Sequence, residues 1–178
     1  MKERVYTLKR ILASKAFRWT VEQTKEALGG HTYCLVGGLA VAYHANPPIT
    51  VDADFLVEGG GHDLKESLEW FEIHAWDVSR LIFATRMKGR PRHGYKIQRG
   101  RHDIDLLVTG MDKFLLHAVR RAVYAPKLAV PVIRPEDLFV MKTLAGRDKD
   151  LYDMVALQKS LGSKLDMDYI NKWIEELL

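Results

Sequence analysis

The sequence predicts an α/β fold of the α+β kind, with a mixed central sheet, flanking helices and a helical C-terminus. Three observations carry this expectation. Short β-branched and apolar runs fill the middle of the chain and stop at glycine clusters, stretches with apolar residues three and four apart lie before and between them, and the last third is helical in its spacing. No linker, low-complexity tract or long-period repeat interrupts the order, and 178 residues with 47% apolar side chains suffice to close one core. One domain is expected over 1–178, with N-terminal helices in 1–30, an α/β core in 31–133 and C-terminal helices in 134–178.

Each element follows from its own residues. Apolar side chains at Val5, Leu8, Ile11, Leu12, Trp19, Val21 and Leu28, with charges between them, predict one or two amphipathic helices ending at Gly29-Gly30. Thr32 to Val36 reads as a strand, Gly37-Gly38 as its turn, and Leu39 to His44 as a short helix broken by Asn46-Pro47-Pro48. Val51 to Val57 is a second strand, ended by Gly59-Gly60-Gly61, and His62 to Phe71 a helix. Strands are expected over Val78 to Met87, Tyr95 to Gln98 and Asp103 to Val108, the last two joined by a hairpin at Arg99-Gly100-Arg101. A helix over Asp112 to Tyr124 and a strand near Leu128 to Ile133 come next. Pro135-Glu136-Asp137 starts a helix that Gly146 stops, and two helices, near 148–160 and 166–178, finish the chain.

Lys and Arg number 27 against 23 Asp and Glu, so the net charge of +4 marks a mildly basic chain in which only local clusters inform. A single cysteine, Cys34, rules out an internal disulfide and a cysteine zinc site, and predicts a reducing, cytoplasmic setting and a core role for that thiol. The longest apolar stretch, around Cys34 to Tyr43, is glycine-broken and too short to span a bilayer. The histidines show no metal-ligand spacing, and the four tryptophans sit on apolar faces where packing is expected.

Chemistry is expected where acids interrupt apolar strands. In Thr50-Val51-Asp52-Ala53-Asp54-Phe55-Leu56-Val57 two aspartates occupy i and i+2, although Asp is disfavoured in strands. At that spacing both carboxylates face the same way, about 7 Å apart, and can bracket a hard divalent cation. An edge strand facing water would also accommodate them. The pattern repeats at Asp103-Ile104-Asp105-Leu106-Leu107-Val108, where Asp105 sits deeper in the apolar run and Asp103 nearer the arginines. If the two strands are neighbours, their carboxylates repel unless cations neutralise them. The Gly37-Gly38 turn before a helix lets backbone N–H groups approach phosphate oxygens, and neither a dinucleotide fingerprint nor a P-loop is present.

Gly37-Gly38-Leu-Ala-Val-Ala-Tyr-His, then Thr50-Val-Asp52-Ala-Asp54-Phe-Leu-Val, then Ile-Asp105-Leu-Leu together resemble the DNA polymerase β-like nucleotidyltransferase superfamily. Within it the chain is most similar to the small AbiEii-type nucleotidyltransferase toxins, over residues 31–155. The resemblance extends to Pro135–Lys142 and Arg147–Asp153. It implies a nucleotidyltransferase fold and a cytoplasmic enzyme that moves an NMP from an NTP to a hydroxyl of RNA or protein, as a toxin with an antitoxin partner. It further implies that Asp52, Asp54 and Asp105 are catalytic and hold two Mg²⁺ ions (or Mn²⁺), and that Gly37, Gly38 and Lys142 bind the nucleotide. Two departures stand out: relatives often have a hydroxyl residue where Gly38 stands, and an arginine where this chain has Asn46-Pro47-Pro48-Ile49.

From Val78 through His102 the chain carries eight Lys and Arg residues and no acid. Such a run grips phosphates or an acidic partner, and Arg90, Arg92, Arg99 and Arg101 are the expected acceptor-binding residues. Asp150 and Asp153 are expected to stabilise the start of their helix or to pair with Lys149. The competing class is a catalytically silent nucleotidyltransferase fold that binds nucleic acid or a partner through residues 78–102.

Overall fold

The computed structural model describes residues 8–45, 52–83 and 92–178. It begins with α1 (Leu8–Leu12) and α2 (Lys15–Ala27), which part at Ser14, whose hydroxyl accepts the Phe17 N–H and so caps α2. Phe17, Thr20, Val21 and Thr24 form the buried stripe of α2 that the sequence spacing demands. The chain continues through β1 (Tyr33–Leu35), α3 (Gly37–Ala45), β2 (Ala53–Val57), α4 (Lys65–Ile73), β3 (Asp77–Phe83), β4 (Arg92–Arg99) and β5 (His102–Val108). It closes with α5 (Lys113–Arg120), β6 (Val123–Ala125), β7 (Val130–Val132), α6 (Pro135–Ala145), α7 (Asp148–Leu161) and α8 (Met167–Leu177).

The described strands form one mixed sheet in the order β3-β4-β5-β2-β1-β7-β6. β2 runs parallel to β5 and β1 parallel to β7, while the remaining neighbours are antiparallel. Phe55, Leu56, Ile97, Ile104 and Leu106 are fully buried at its centre, each worth about 1.5–3 kcal/mol of transfer free energy. α6 is bounded as its sequence dictates, by Pro135 in its first turn and by Gly146, which takes a left-handed φ of 62°.

Several boundaries differ from the sequence expectation. The helix expected to reach Tyr124 ends at Arg120, because Val123, Tyr124 and Ala125 pair with Val132, Pro131 and Val130 to make an edge strand. Asp52 lies just ahead of β2, which begins at Ala53, rather than inside it. β4 begins at Arg92, three residues before the expected start, since its ladder to β3 extends to Phe83 opposite Arg92. Asn46-Pro47-Pro48-Ile49, Thr50 and Val51, and the segment holding Arg86, Lys88 and Arg90, lie outside the described residues.

The aromatic residues pack as expected. Trp19 stacks on Trp76 with ring centroids 5.2 Å apart and lies 4.7 Å from His102, tying α2 to the lower edge of the sheet. Cys34 is buried in β1, and burial pushes its thiol far above the usual range, which leaves it unreactive.

Candidate active site

Strand pairing sets the central feature. β2 and β5 are parallel neighbours in which Asp54 is the register partner of Asp105, so the two carboxylates stand side by side on one face of the sheet. β4 flanks β5 on the other side, placing Lys96 opposite Asp105, and its Nζ donates to Asp105 Oδ1 at 3.1 Å. A transverse row Lys96, Asp105, Asp54 results. The strand period of two puts Gln98 and Asp103 on the same face one step lower, where Gln98 Nε2 donates to Asp103 Oδ1 at 2.7 Å. Asp52, at the head of β2, is exposed.

The start of α3 closes the row at its far end. Val36 N–H donates to the Asp54 carbonyl at 2.8 Å, and Gly37 then turns with φ +65° into the helix. A Cβ on Gly37 would lie 1.8 Å from Asp54 Oδ2 and 2.6 Å from its Cγ. Only glycine lets the helix begin against this carboxylate. Gly38 has open space where its Cβ would be. The first-turn amides of α3 have no acceptor within the helix, and the Gly37 turn that begins it lies against the Asp54 carboxylate.

Burial and the neighbouring Asp105 push the Asp54 carboxyl up to about 7, against the pull of Lys142 and Lys149. Lys142, with 7% of its side chain exposed, comes from α6 and donates to Asp150 Oδ1 at 3.1 Å and to Asp153 Oδ2 at 2.6 Å. Arg147 holds Asp150 from the other side through Nε and Nη2 at 2.7 and 3.0 Å. Asp150 does accept the Arg147 N–H at the start of α7, as expected of an acid there. The ion-pair partners, however, are Lys142 and Arg147 rather than Lys149, because α6 packs across α7 and delivers its lysine to the first turn. Lys142 thus lies near Asp54 with its ammonium already held by two carboxylates.

The donor set suits a hard divalent ion. Carboxylate oxygens are the preferred ligands of Mg²⁺ and Mn²⁺, and Asp54 and Asp105 stand side by side, with room for the Asp54 carboxylate only because Gly37 has no side chain. Among the described residues no three His, Cys, Asp or Glu side chains converge closely enough to enclose an ion by themselves. A pair of carboxylates completed by substrate phosphates and water is the usual surrounding of Mg²⁺.

The expected acceptor-binding arginines separate. Arg92 is turned inward, with 10% of its side chain exposed, and its Nη2 donates to Asp112 Oδ2 at 3.1 Å. Arg99 donates to the His74 carbonyl at 2.8 Å and lies 5.4 Å over the Trp19 ring. Arg101 is exposed and helps wall a cleft of about 470 Å³ at the lower edge of β2 and β5. Ile11, Phe17 and Ala53 supply its apolar surface, and Asp52, Asp103 and Arg10 stand at its polar side.

The sequence did not mark Lys96, Arg147 or Lys149 as neighbours of the carboxylate pair. For Lys96 the signal was present: counting outward from the hairpin at Gly100, Arg99 meets His102 and Lys96 meets Asp105. Arg147 and Lys149 carried no local signal, since their relation to Asp54 depends on how α7 packs against α3.

No family model matches the sequence, and no curated protein is similar to it. Solved structures do match. The crystal structure of ANT(2'')-Ia in complex with adenylyl-2''-tobramycin superposes with a TM-score of 0.58 at 12% identity, covering 89% of this chain and 97% of that one. The solution structure of the same antibiotic-resistance factor gives a TM-score of 0.57 at 11% identity, covering 89% of both chains. ANT(2'')-Ia is an aminoglycoside nucleotidyltransferase, and the mixed sheet and helices described above have the nucleotidyltransferase fold.

Proposed function

We propose that this chain is a divalent-metal-dependent nucleotidyltransferase that moves a nucleoside monophosphate from an NTP to an acceptor hydroxyl. The observation that carries the reading is the Asp54–Asp105 register pair on parallel strands, with the Gly37 turn against it, in this fold. Asp54 and Asp105 would hold Mg²⁺, with Asp52 drawn in from the head of β2, and two ions are the proposed complement. When bound, the metal neutralises phosphate charge and lowers the pKa of a hydroxyl. The Gly37 and Gly38 amides donate to phosphate oxygens at the start of α3. Lys142, fixed between Asp150 and Asp153, acts on the nucleotide through its nearness to Asp54 and the field it adds there.

The acceptor hydroxyl enters from the cleft beside Asp52, where Arg101 and Asp103 offer polar contacts around an apolar surface. The motif resemblance to AbiEii-type toxins supports an RNA or protein acceptor and an antitoxin partner. The test is incubation of the purified chain with each labelled NTP and Mg²⁺, in parallel with aminoglycosides, total RNA and cell lysate. Label transferred to one class, and lost in Asp54→Asn, establishes the activity and its acceptor. Absence of transfer to every class identifies the silent, binding form of the fold.

A further inference from the structure

Lys96 touches the carboxylate pair, and the ladder leaves it no other place. Its neighbour Ile97 is the register partner of Ile104, and both are fully buried on the opposite face. A slip of one residue would expose both isoleucines, so the packing that fixes the register also fixes Lys96 against Asp105. The side chains of Lys96 and Asp105 are 34% and 25% exposed, and a pair so open to water adds little to stability. Yet its ammonium lies where a divalent ion shared by Asp54 and Asp105 would be repelled by it.

We propose that Lys96 is a positioning residue and built-in competitor for the metal site. Its ammonium holds Asp105 beside Asp54 while the site is free of metal, and the repulsion it exerts makes the site accept a divalent ion together with nucleotide phosphates rather than alone. The inference rests on the metal-dependent reading above. Two cations on one carboxylate pair are unfavourable, and the negative charge of a triphosphate offsets both. Binding of the ion alone is therefore weak, and binding of the ion with the nucleotide is strong.

The test measures Mn²⁺ binding to the whole chain by electron paramagnetic resonance, alone and with a non-hydrolysable NTP analogue. It compares the wild type with Lys96→Met, Lys96→Gln, Lys96→Arg and Asp105→Asn, each checked for folding by its thermal midpoint. Removing the ammonium in Lys96→Met, or in Lys96→Gln should the first fail to fold, should tighten binding of Mn²⁺ alone about tenfold. The gain should be much smaller with the analogue present, and Lys96→Arg should stay within about threefold of the wild type in both states. Unchanged or weaker binding of Mn²⁺ alone in the Met and Gln variants overturns the competition. An equal gain with and without the analogue overturns the coupling to nucleotide. If Asp105→Asn binds Mn²⁺ as the wild type does, or no variant binds it, the metal reading itself fails. Loss in Asp105→Asn with no change in Lys96→Met fails the Lys96 proposal alone.

Discussion

Replacing Gly37 by alanine tests the link between the helix turn and the carboxylate pair. A non-glycine residue at φ +65° costs about 1–2 kcal/mol from backbone strain alone. The new methyl would also lie 1.8 Å from Asp54 Oδ2 and 2.7 Å from its Cβ, and Asp54 cannot retreat because Ala53 and Phe55 on either side are buried. Overpacking of this kind adds about 1–3 kcal/mol, so Gly37→Ala should cost about 2–5 kcal/mol in all. For a chain of this length that lowers the thermal midpoint by roughly 5–15 °C. Urea denaturation of Gly37→Ala, Asp54→Gly and the double variant separates the two contributions. With Asp54 reduced to glycine only the backbone strain remains, so the cost of Gly37→Ala should fall to about 1–2 kcal/mol. Gly38→Ala is the control: its added methyl meets nothing within 4 Å, and it should stabilise α3 by about 0.4–1 kcal/mol. A Gly37→Ala cost that is the same with and without the Asp54 side chain would refute the contact, and with it the shaping of this turn around the carboxylate.

Asp105→Asn should lower the transfer rate at least about 10³-fold, while Asp103→Asn, which gives up a charge at the rim of the cleft and weakens the exposed bond from Gln98, stays within a few-fold; transfer rates for the two variants check the choice. Lys142→Met leaves Asp153 without its lysine and Asp150 with Arg147 alone, and should cost about 3–5 kcal/mol by urea denaturation. For Asp150, burial alone would raise the carboxyl, but the Arg147 hydrogen bonds and Lys142 outweigh it and hold it below the usual range. Its contribution to stability is therefore present above the unfolded value near pH 4, about 3.9, and is lost as pH falls through the folded one. Asp150→Asn should flatten the acid limb of a urea midpoint plotted against pH, and an unchanged slope would show that other carboxylates set it.

What the sequence revealed and what it hid divide by range of interaction. Pro135 and Gly146 act on the turns beside them, and the helix ends they imply are the observed ones. The hairpin at Gly100 is equally local, and φ +60° there explains the glycine. Parallel pairing of β2 with β5 joins segments about fifty residues apart, so the acid-apolar-acid repeat could name Asp54 and Asp105 but not their register. Val123 and Tyr124 carry strand preference inside a helical spacing, and the partner strand β7 decided between the two. Lys142 is reached only through the motif resemblance, since what buries it is a pair of aspartates on the following helix that leaves no signal in its own.

The carboxylate pair is balanced by positive charge from two opposed directions, and this bears on how the proposed transfer would run. On one side Lys142, Arg147 and Lys149 approach Asp54 from α6 and the start of α7, next to the amides of α3. On the other side Lys96 approaches Asp105 from β4, and the cleft bordered by Arg101 and Asp52 opens below. Phosphoryl transfer needs the attacking and leaving oxygens roughly in line, hence on opposite sides of the phosphorus. The helical side brings Lys142, Arg147 and Lys149, partly offset by Asp150 and Asp153, beside the first-turn amides of α3, and on the proposed reading suits the triphosphate and its departing pyrophosphate. The strand side carries mixed charge and an apolar wall, which suits a hydroxyl-bearing acceptor better than a polyphosphate. On the proposed reading Asp54 would then serve the donor side and Asp105 the acceptor side, where Asp105, paired with Lys96, would orient the attacking hydroxyl.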